Sequence, residues 1–199
     1  MDKDLFIFQK NALSGLISEP LCEEYRDEWR RCGDNRKKLI SLAMRQQAIP
    51  YFASACYRGL GVSKNYLLTE FKDLVNGYTL HDVEGVQGFT YGMYVDYDYD
   101  NDLEVSCDVS HIMWTVGANL VIPTTRCPTI YLSNRSNVHL VGEGFNTVNI
   151  KLFDKSKITI EDLDEESEVV VYKYSDDAKV ELGKFCLGSV KTFNKELRL

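Results

Sequence analysis

The feature that most constrains the fold of this 199-residue chain is a short sequence repeat between Thr129 and Phe193. Each repeat has a small or polar residue, a spacer, and then two alternating positions that are mostly apolar. The six repeats start at positions 136, 146, 156, 167, 178 and 188, so the period is ten or eleven positions. Alternation with period two places the apolar positions on one face of an extended strand. The pattern therefore predicts one short strand and one turn in each repeat.

Such a short strand cannot bury its apolar side chains alone, so successive repeats must stack. Two arrangements meet this requirement. In a β-solenoid the strands lie on different sides of a winding coil, with two strands in about 20 residues, whereas in an antiparallel meander each turn is a hairpin loop. The small residue before each strand favours the solenoid. We predict an α+β chain that ends in a short β-solenoid, with the meander as the alternative.

Residues 1–78 show helical patterns instead. We expect Asp34 or Asn35 to cap one helix, Pro50 to open another, and Ser63 to cap a last helix that runs to Val75. A change to glycine and polar residues follows. The predicted organisation is a helical region (1–78), a hinge (79–92) and a β-rich repeat domain (93–199) with the segment 193–199 capping the stack.

The acidic residues are unevenly distributed. Residues 79–128 carry eight acidic side chains and one basic side chain, in a chain of net charge -7. Within them, residues 95–105 alternate on both sides of an Asp-Asn-Asp turn, which predicts a hairpin with charges on its solvent face. The weaker hypothesis is a calcium site formed by Asp96, Asp98, Asp100 and Asp102, although the glycine and glutamate of the usual calcium loop are missing. No cofactor is predicted.

The sequence Gly61-Val62-Ser63, followed by Tyr66-Leu67, lies between two predicted helices. In this respect the segment 48–75 resembles the helix-turn-helix units of transcriptional regulators, and the resemblance implies a DNA-binding regulator. The second helix offers Lys64 and Lys72 as exposed basic residues, which are few for neutralising phosphates. Nucleic acid is therefore not the partner that we predict.

The scattered cysteines and histidines indicate no metal site. Six cysteines without a C-x-x-C pair are typical of reduced, mostly buried residues of a cytosolic protein. His81, His111 and His139 are interpreted as surface or half-buried strand residues. Neither a signal-peptide pattern nor an apolar run of about 18 residues is present in the sequence. We expect a cytoplasmic protein without a membrane partner.

The order of helical head and β-solenoid body resembles small proteins of unknown function carried by bacteria and their phages or mobile elements. This resemblance of layout covers most of the chain without a specific motif, and it implies a cytoplasmic or virion-associated interaction protein. The sequence also lacks the common motifs of hydrolases, phosphate-binding loops and dinucleotide-binding folds. Our leading hypothesis is a non-catalytic interaction or structural module with a rigid β face and a helical docking part, which binds another protein or a second copy.

An enzyme remains an alternative, because β-helices often place acidic residues along a groove that binds sugars. The candidate carboxylates for a carbohydrate-active enzyme are Asp154, Glu161 and Asp176. Each of them lies in or near a predicted turn. Glycoside hydrolysis needs two such carboxylates within about 5–10 Å of each other.

Overall fold

The computed structural model describes residues 23–33, 35–59, 62–83, 87–97, 102–123, 127–142 and 147–195. The helices within these ranges are α1 (Glu23–Arg31), α2 (Arg36–Ala43), α3 (Ile49–Tyr57) and α4 (Lys64–Glu70). The strands are β1 (Thr79–His81), β2 (Thr90–Val95), β3 (Leu103–Glu104), β4 (Val109–Met113), β5 (Val116–Val121), β6 (Thr129–Ser133), β7 (Asn137–Val141), β8 (Thr147–Leu152), β9 (Lys157–Glu161), β10 (Glu168–Lys173), β11 (Lys179–Leu182) and β12 (Ser189–Asn194). The helical pattern predicted before residue 23 lies outside the described residues.

Three of the described helices, α2, α3 and α4, begin where the sequence signals predict. Asn35 caps α2 by accepting a hydrogen bond from the Lys38 amide at 3.0 Å, and Ser63 caps α4 by accepting one from the Tyr66 amide at 3.2 Å. Pro50 lies in the first turn of α3, where its missing N–H would have no helical partner.

The prediction that the last helix continues to Val75 is wrong, because α4 ends at Glu70. The chain then turns so that Leu74 and Val75 are buried. Asn76, at a φ of 55°, exchanges two side-chain hydrogen bonds with the Val95 backbone, at 2.7 and 2.8 Å. This attachment to the end of β2 is a tertiary contact that helix propensity does not anticipate.

The repeat forms a β-solenoid of about five turns, as predicted, and not a meander. Each of the six strands from β7 to β12 begins one residue after the start of its repeat. Successive strands alternate between a seven-stranded sheet (β1-β2-β4-β6-β8-β10-β12) and a five-stranded sheet (β11-β9-β7-β5-β3). All described pairings are parallel except that of β1 with β2.

The interior of the solenoid is a stack of aliphatic side chains. In the five-stranded sheet, Leu120, Leu140, Ile160 and Leu182 occupy equivalent positions in successive coils. The first three are fully buried. The alternating apolar positions of the repeat thus face inward from both sheets and form one continuous core.

Among the described repeats, the small residue that starts the repeat lies at a corner of the coil. Ser136 and Ser156 are fully buried where the chain passes from the seven-stranded to the five-stranded sheet. The Ser156 hydroxyl donates to the carbonyl of Phe153 at 2.6 Å, and it lies 3.1 Å from that of Leu132 in the preceding coil. Ser136 makes the equivalent contacts with Ser133 and Ile112. These serines therefore tie neighbouring coils together.

We expect Ser156→Ala to lower the free energy of unfolding by about 1 kcal/mol, because the buried hydroxyl that links two coils is lost. Urea denaturation measures the difference. Ser189→Ala is the control, since Ser189 is exposed on the last strand. Equal stabilities of the Ser156→Ala and Ser189→Ala variants would contradict this role for the corner serines.

The helices cover the outer face of the first strands of the seven-stranded sheet. Outward side chains such as Tyr91, Met93 and Met113 belong to the same buried cluster as Trp29, Leu39, Ile49 and Leu67 of the helices. The predicted hinge, residues 79–92, holds β1 and the beginning of β2, which pair with each other.

The acidic segment is not the predicted hairpin. β2 before it pairs with β4 in the seven-stranded sheet, whereas β3 after it pairs with β5 in the other sheet. β2 and β3 therefore belong to different sheets and do not pair with each other. The alternating pattern on the two sides of the acidic segment reflects two strands of a solenoid, each paired with the following coil.

Candidate binding surface

The outer face of the seven-stranded sheet is covered at its beginning and accessible at its end. The outward side chains of β8, β10 and β12 are half-buried or exposed, unlike those of β2 and β4. We define the open face as the outward residues Asn149, Lys151, Tyr172, Tyr174, Lys191, Phe193 and Lys195. The end of α3 forms one border of this face, so the helical region and the solenoid both contribute to it.

Two hollows adjoin each other on this surface and share Tyr174 as a wall. The first, of about 260 Å³, lies between α3 and the corner of the coil and is lined by residues that include Pro50, Tyr57, Arg58 and Asp154. The second, of about 360 Å³, lies on the sheet and is lined by residues that include Asn149, Lys151, Tyr172 and Lys195. Together they form an extended depression across the open face.

Aromatic rings form stacks along the solenoid axis. Phe153 and Tyr174 are stacked with centroids 4.8 Å apart, and Tyr172 and Phe193 with centroids 5.6 Å apart. Phe153 is stacked between Tyr131 and Tyr174, and Tyr172 is stacked on Phe193, so each of these rings has at least one face in contact with another ring. Stacking of bases requires free ring faces, and these contacts reduce the ring surface that bases could use.

The open face carries cationic groups although the chain is acidic. The Lys151 Nζ lies 2.9 Å from the Tyr131 hydroxyl and 4.7 Å from the centre of its ring, and the Lys195 Nζ lies 5.6 Å from the ring centre of Tyr172. Arg58 adds a guanidinium at the end of α3. Cations held in this way over aromatic rings create a site that favours anionic groups.

Asp154 is the carboxylate that lines the first hollow, and its oxygens are engaged by the backbone. It accepts hydrogen bonds from the amides of Asn134, Arg135 and Lys155, at 2.7, 3.1 and 2.6 Å. Burial raises the pKa of Asp154, while the three amide donors oppose that shift. Asp154 has a φ of 47°, close to the φ of 55° at Asn134 in the preceding coil. Both residues thus adopt the left-handed backbone conformation that forms the corner of the coil.

Two of the three carboxylates predicted for a carbohydrate-active enzyme, Asp154 and Glu161, do not meet in one groove. Glu161 lies at the far end of β9 from Asp154, on the order of 15 Å away along the strand, where it contacts the His139 imidazole at 3.4 Å. Asp176 is exposed in the turn before β11. The described structure therefore does not bring the candidate pair Asp154 and Glu161 to the spacing that glycoside hydrolysis needs.

The calcium candidates are described in part. Asp96 forms an ion pair with Lys64 at 2.9 Å, and Asp102 accepts a hydrogen bond from the Asn119 side chain at 3.0 Å. Asp98 and Asp100 lie outside the described residues. Among the residues that the structure does describe, no group of three or more His, Cys, Asp or Glu side chains is placed to hold a metal ion.

The helix-turn-helix-like segment is attached to the solenoid. Its second helix, α4, contacts β2 and buries Leu67, and its Lys64 is paired with Asp96. One of the two basic residues that would contact phosphates is therefore engaged with a carboxylate of the same chain. Residues 60 and 61 of the turn lie outside the described residues.

A serine–histidine pair that the sequence did not predict lies beneath the helices. The His111 Nε2 is 2.8 Å from the Ser133 Oγ, and both residues are fully buried. His111 was expected to be at most half-buried, and that prediction is wrong, because Phe52 of α3 and Tyr131 cover its ring. A nucleophile and base need access to substrate, so this pair belongs to the packing of the helices on the sheet.

The open face itself was not predicted, although its signal is present in the sequence. β2, which lies under the helices, is mostly apolar on both faces, whereas β8 and β10 alternate. At the register of the solenoid, Lys151, Tyr172 and Phe193 fall in one column. The strand pairing between coils was needed before these positions could be aligned.

Fold and surface together define the class of protein: a two-sided parallel β-solenoid, one sheet of which is half covered by a helical region. No family model, no curated protein and no solved structure matches the chain. Among the described helices, none has the length and apolar character needed to cross a membrane. The five cysteines within the described ranges, Cys32, Cys56, Cys107, Cys127 and Cys186, are free thiols.

Proposed function

We propose that this protein is a non-catalytic interaction module that binds an acidic segment of a partner protein on its open face. The observation that carries the proposal is the depression on either side of Tyr174, which is bordered by Arg58, Lys151 and Lys195. Its one lining carboxylate among the described residues, Asp154, already accepts three amide hydrogen bonds. Glu168, a further carboxylate on the outer face, is paired with Lys191, so an anionic segment would meet Arg58, Lys151 and Lys195 without a competing free carboxylate.

The rigidity of the support is a second argument. β8 and β10 are paired with strands on both sides, so the side chains of Lys151, Tyr172 and Tyr174 project from a fixed backbone. Interfaces gain affinity when contact residues are held in place before binding. Tyrosine and arginine are also the residues that most often dominate protein interfaces.

The proposal places the protein in the cytoplasm, or in a virion if its gene is carried by a phage. The free thiols of the described cysteines are typical of a reducing compartment. Neither nucleic acid nor a membrane is the proposed partner. Phosphate recognition would need more accessible cations than α4 provides, and the stacked aromatic rings give little space for bases.

Selection from a random peptide display library tests the proposal. We expect the wild-type protein to enrich peptides rich in Asp and Glu, and binding to fall at least about tenfold in the double variant Arg58→Glu/Tyr174→Ala. Loss of one buried interfacial charge contact or one aromatic anchor commonly has an effect of that size or larger. Circular dichroism establishes that the variant keeps its fold.

The matched control is Lys37→Glu/Tyr78→Ala. Lys37 lies over the Tyr78 ring at 5.4 Å, in a separate hollow between α2 and β1. The control changes the same classes of residue and alters the net charge by the same amount without touching the open face, so it should keep the affinity of the selected peptides. Enrichment of peptides without acidic residues, or equal binding by both double variants, would overturn the proposal.

A further inference from the structure

The last coil of the solenoid exposes an unusual amount of apolar surface. Six large apolar side chains are exposed among the described residues, and four of them lie in this coil: Leu182, Phe185, Leu187 and Phe193. Leu182, Phe185 and Leu187 are 60–69% exposed. Ile160, the residue equivalent to Leu182 in the preceding coil, is fully buried because the following coil covers it. A grouped set of this kind marks an interaction surface.

The edges of both sheets at this end have no neighbouring strand within the described part of the chain. β12 pairs with β10 on one side, and β11 pairs with β9 on one side. The Ser189 amide donates to the carbonyl of Ser167, the residue before β10, at 3.0 Å, and the Lys195 amide donates to that of Lys173 in β10 at 2.8 Å. Because N–H directions alternate along a strand, the amides of Val190, Thr192 and Asn194 face the open edge.

Lysines on an edge strand usually prevent edge-to-edge pairing, but those of β12 are drawn away from the edge. Lys191 forms an ion pair with Glu168 of β10, and Lys195 lies over the ring of Tyr172, also on β10. Both side chains thus turn back onto the preceding strand. The tail predicted to cap the stack from residue 193 does not do so in its described part, since Phe193 and Asn194 are in β12 itself.

We propose that a second copy of this chain covers the open end, with β12 of the two copies pairing antiparallel across a two-fold axis. A two-fold axis is the commonest symmetry of homo-oligomers and uses the same surface on both copies. It would join the seven-stranded sheets of the two copies into one continuous sheet. The pairing uses the backbone edge of β12, whereas the peptide site is proposed around Tyr174, so the inference goes beyond that site and does not depend on it, although Lys191 and Phe193 belong to both surfaces.

Charge selects the register of this pairing. In antiparallel pairing, the residues whose amides face the shared edge lie opposite one another. Here these residues are Val190, Thr192 and Asn194. Centring the pair on residue 191 would place two Lys191 side chains directly opposite, and like charges at that position destabilise a sheet. Centring it on Thr192 places Lys191 opposite Phe193 of the second copy and so avoids this juxtaposition of like charges. The structure therefore favours the register centred on Thr192.

Sedimentation velocity over a range of concentrations tests the inference with three proteins. The wild type should sediment as a dimer of twice the chain mass of 22.8 kDa. Thr192→Pro removes the amide that would donate at the dyad, and its dissociation constant should rise about tenfold or more, since both copies lose a central hydrogen bond. Thr192→Val keeps the amide and the β-branched shape and should behave as the wild type.

Leu187→Asp gives an independent readout, because it adds a charge to the exposed apolar surface without changing the β12 backbone. It should also convert the dimer into monomer. A wild-type monomer at all concentrations, or a dimer that withstands both Thr192→Pro and Leu187→Asp, would overturn the inference. Growth beyond a dimer would do so as well, since a two-fold interface closes. The acidic peptides selected in the display experiment should bind Thr192→Pro with the same affinity as the wild type. Loss of the dimer is thereby distinguished from loss of the peptide site on the open face.

Discussion

Leu140→Ala should lower the free energy of unfolding by about 2–5 kcal/mol, because it opens a cavity in the solenoid interior. Leu140 is fully buried, with Leu120 and Ile160 at the equivalent positions of the coils on either side. Neither neighbour can move into the space without disturbing its own strand pairing. Chemical denaturation monitored by circular dichroism measures the loss.

Leu182→Ala is the matched control for that experiment. Leu182 has the same side chain in the same column of the five-stranded sheet, but it is 60% exposed because no described coil follows it. At concentrations where the chain is monomeric, its replacement should cost less than about 1 kcal/mol. If the Leu140→Ala and Leu182→Ala variants lost equal amounts of unfolding free energy under those conditions, the result would contradict our interpretation that the stacked core is the source of stability.

The second large effect is a pH dependence that originates at His111. Burial lowers the pKa of His111 from 6.5 to about 3. Below pH 6.5 the unfolded chain therefore takes up a proton that the folded chain does not, and the free energy of unfolding falls as the pH decreases towards 3. The slope from this single residue is at most about 1.4 kcal/mol per pH unit, and it vanishes above the unfolded pKa.

Comparison with His111→Gln isolates this contribution. Glutamine can still hydrogen-bond Ser133 but does not titrate, so the stability difference between the wild type and the variant should shrink from pH 7 to pH 4. Urea denaturation at intervals of half a pH unit provides the two profiles. His81→Gln, at an exposed histidine, should keep the slope of the wild type. Parallel profiles for the wild type and His111→Gln would show that His111 is not the source.

The repeat could be predicted from the sequence because its signals are local. A strand of the solenoid needs a turn, a small corner residue and alternating apolar positions, and all of them lie within a single repeat. The same holds for the caps at Asn35 and Ser63, where a side chain binds an amide three residues away. These interactions depend on neighbours in the chain, so the pattern of residue types is sufficient.

The misplaced elements depend on contacts between distant residues. The acidic segment looks like a hairpin because the strands on both sides alternate, but those strands pair with the next coil and not with each other. The helix that was expected to reach Val75 ends early because Asn76 binds Val95. His111 is buried because Phe52, about sixty positions earlier, packs on it. In each case the deciding partner is remote in sequence.

The candidate surfaces also depend on tertiary structure. Each coil is specified by local periodicity, so the sequence alone determined that the chain winds into a stack. The tertiary structure decided which outer faces stay accessible. The helices cover the outer face at β2 and β4 and leave it open at β8, β10 and β12. Burial of a sheet face is a property of two packed elements. The repeat of one element cannot specify it, because the covering residues lie elsewhere in the chain.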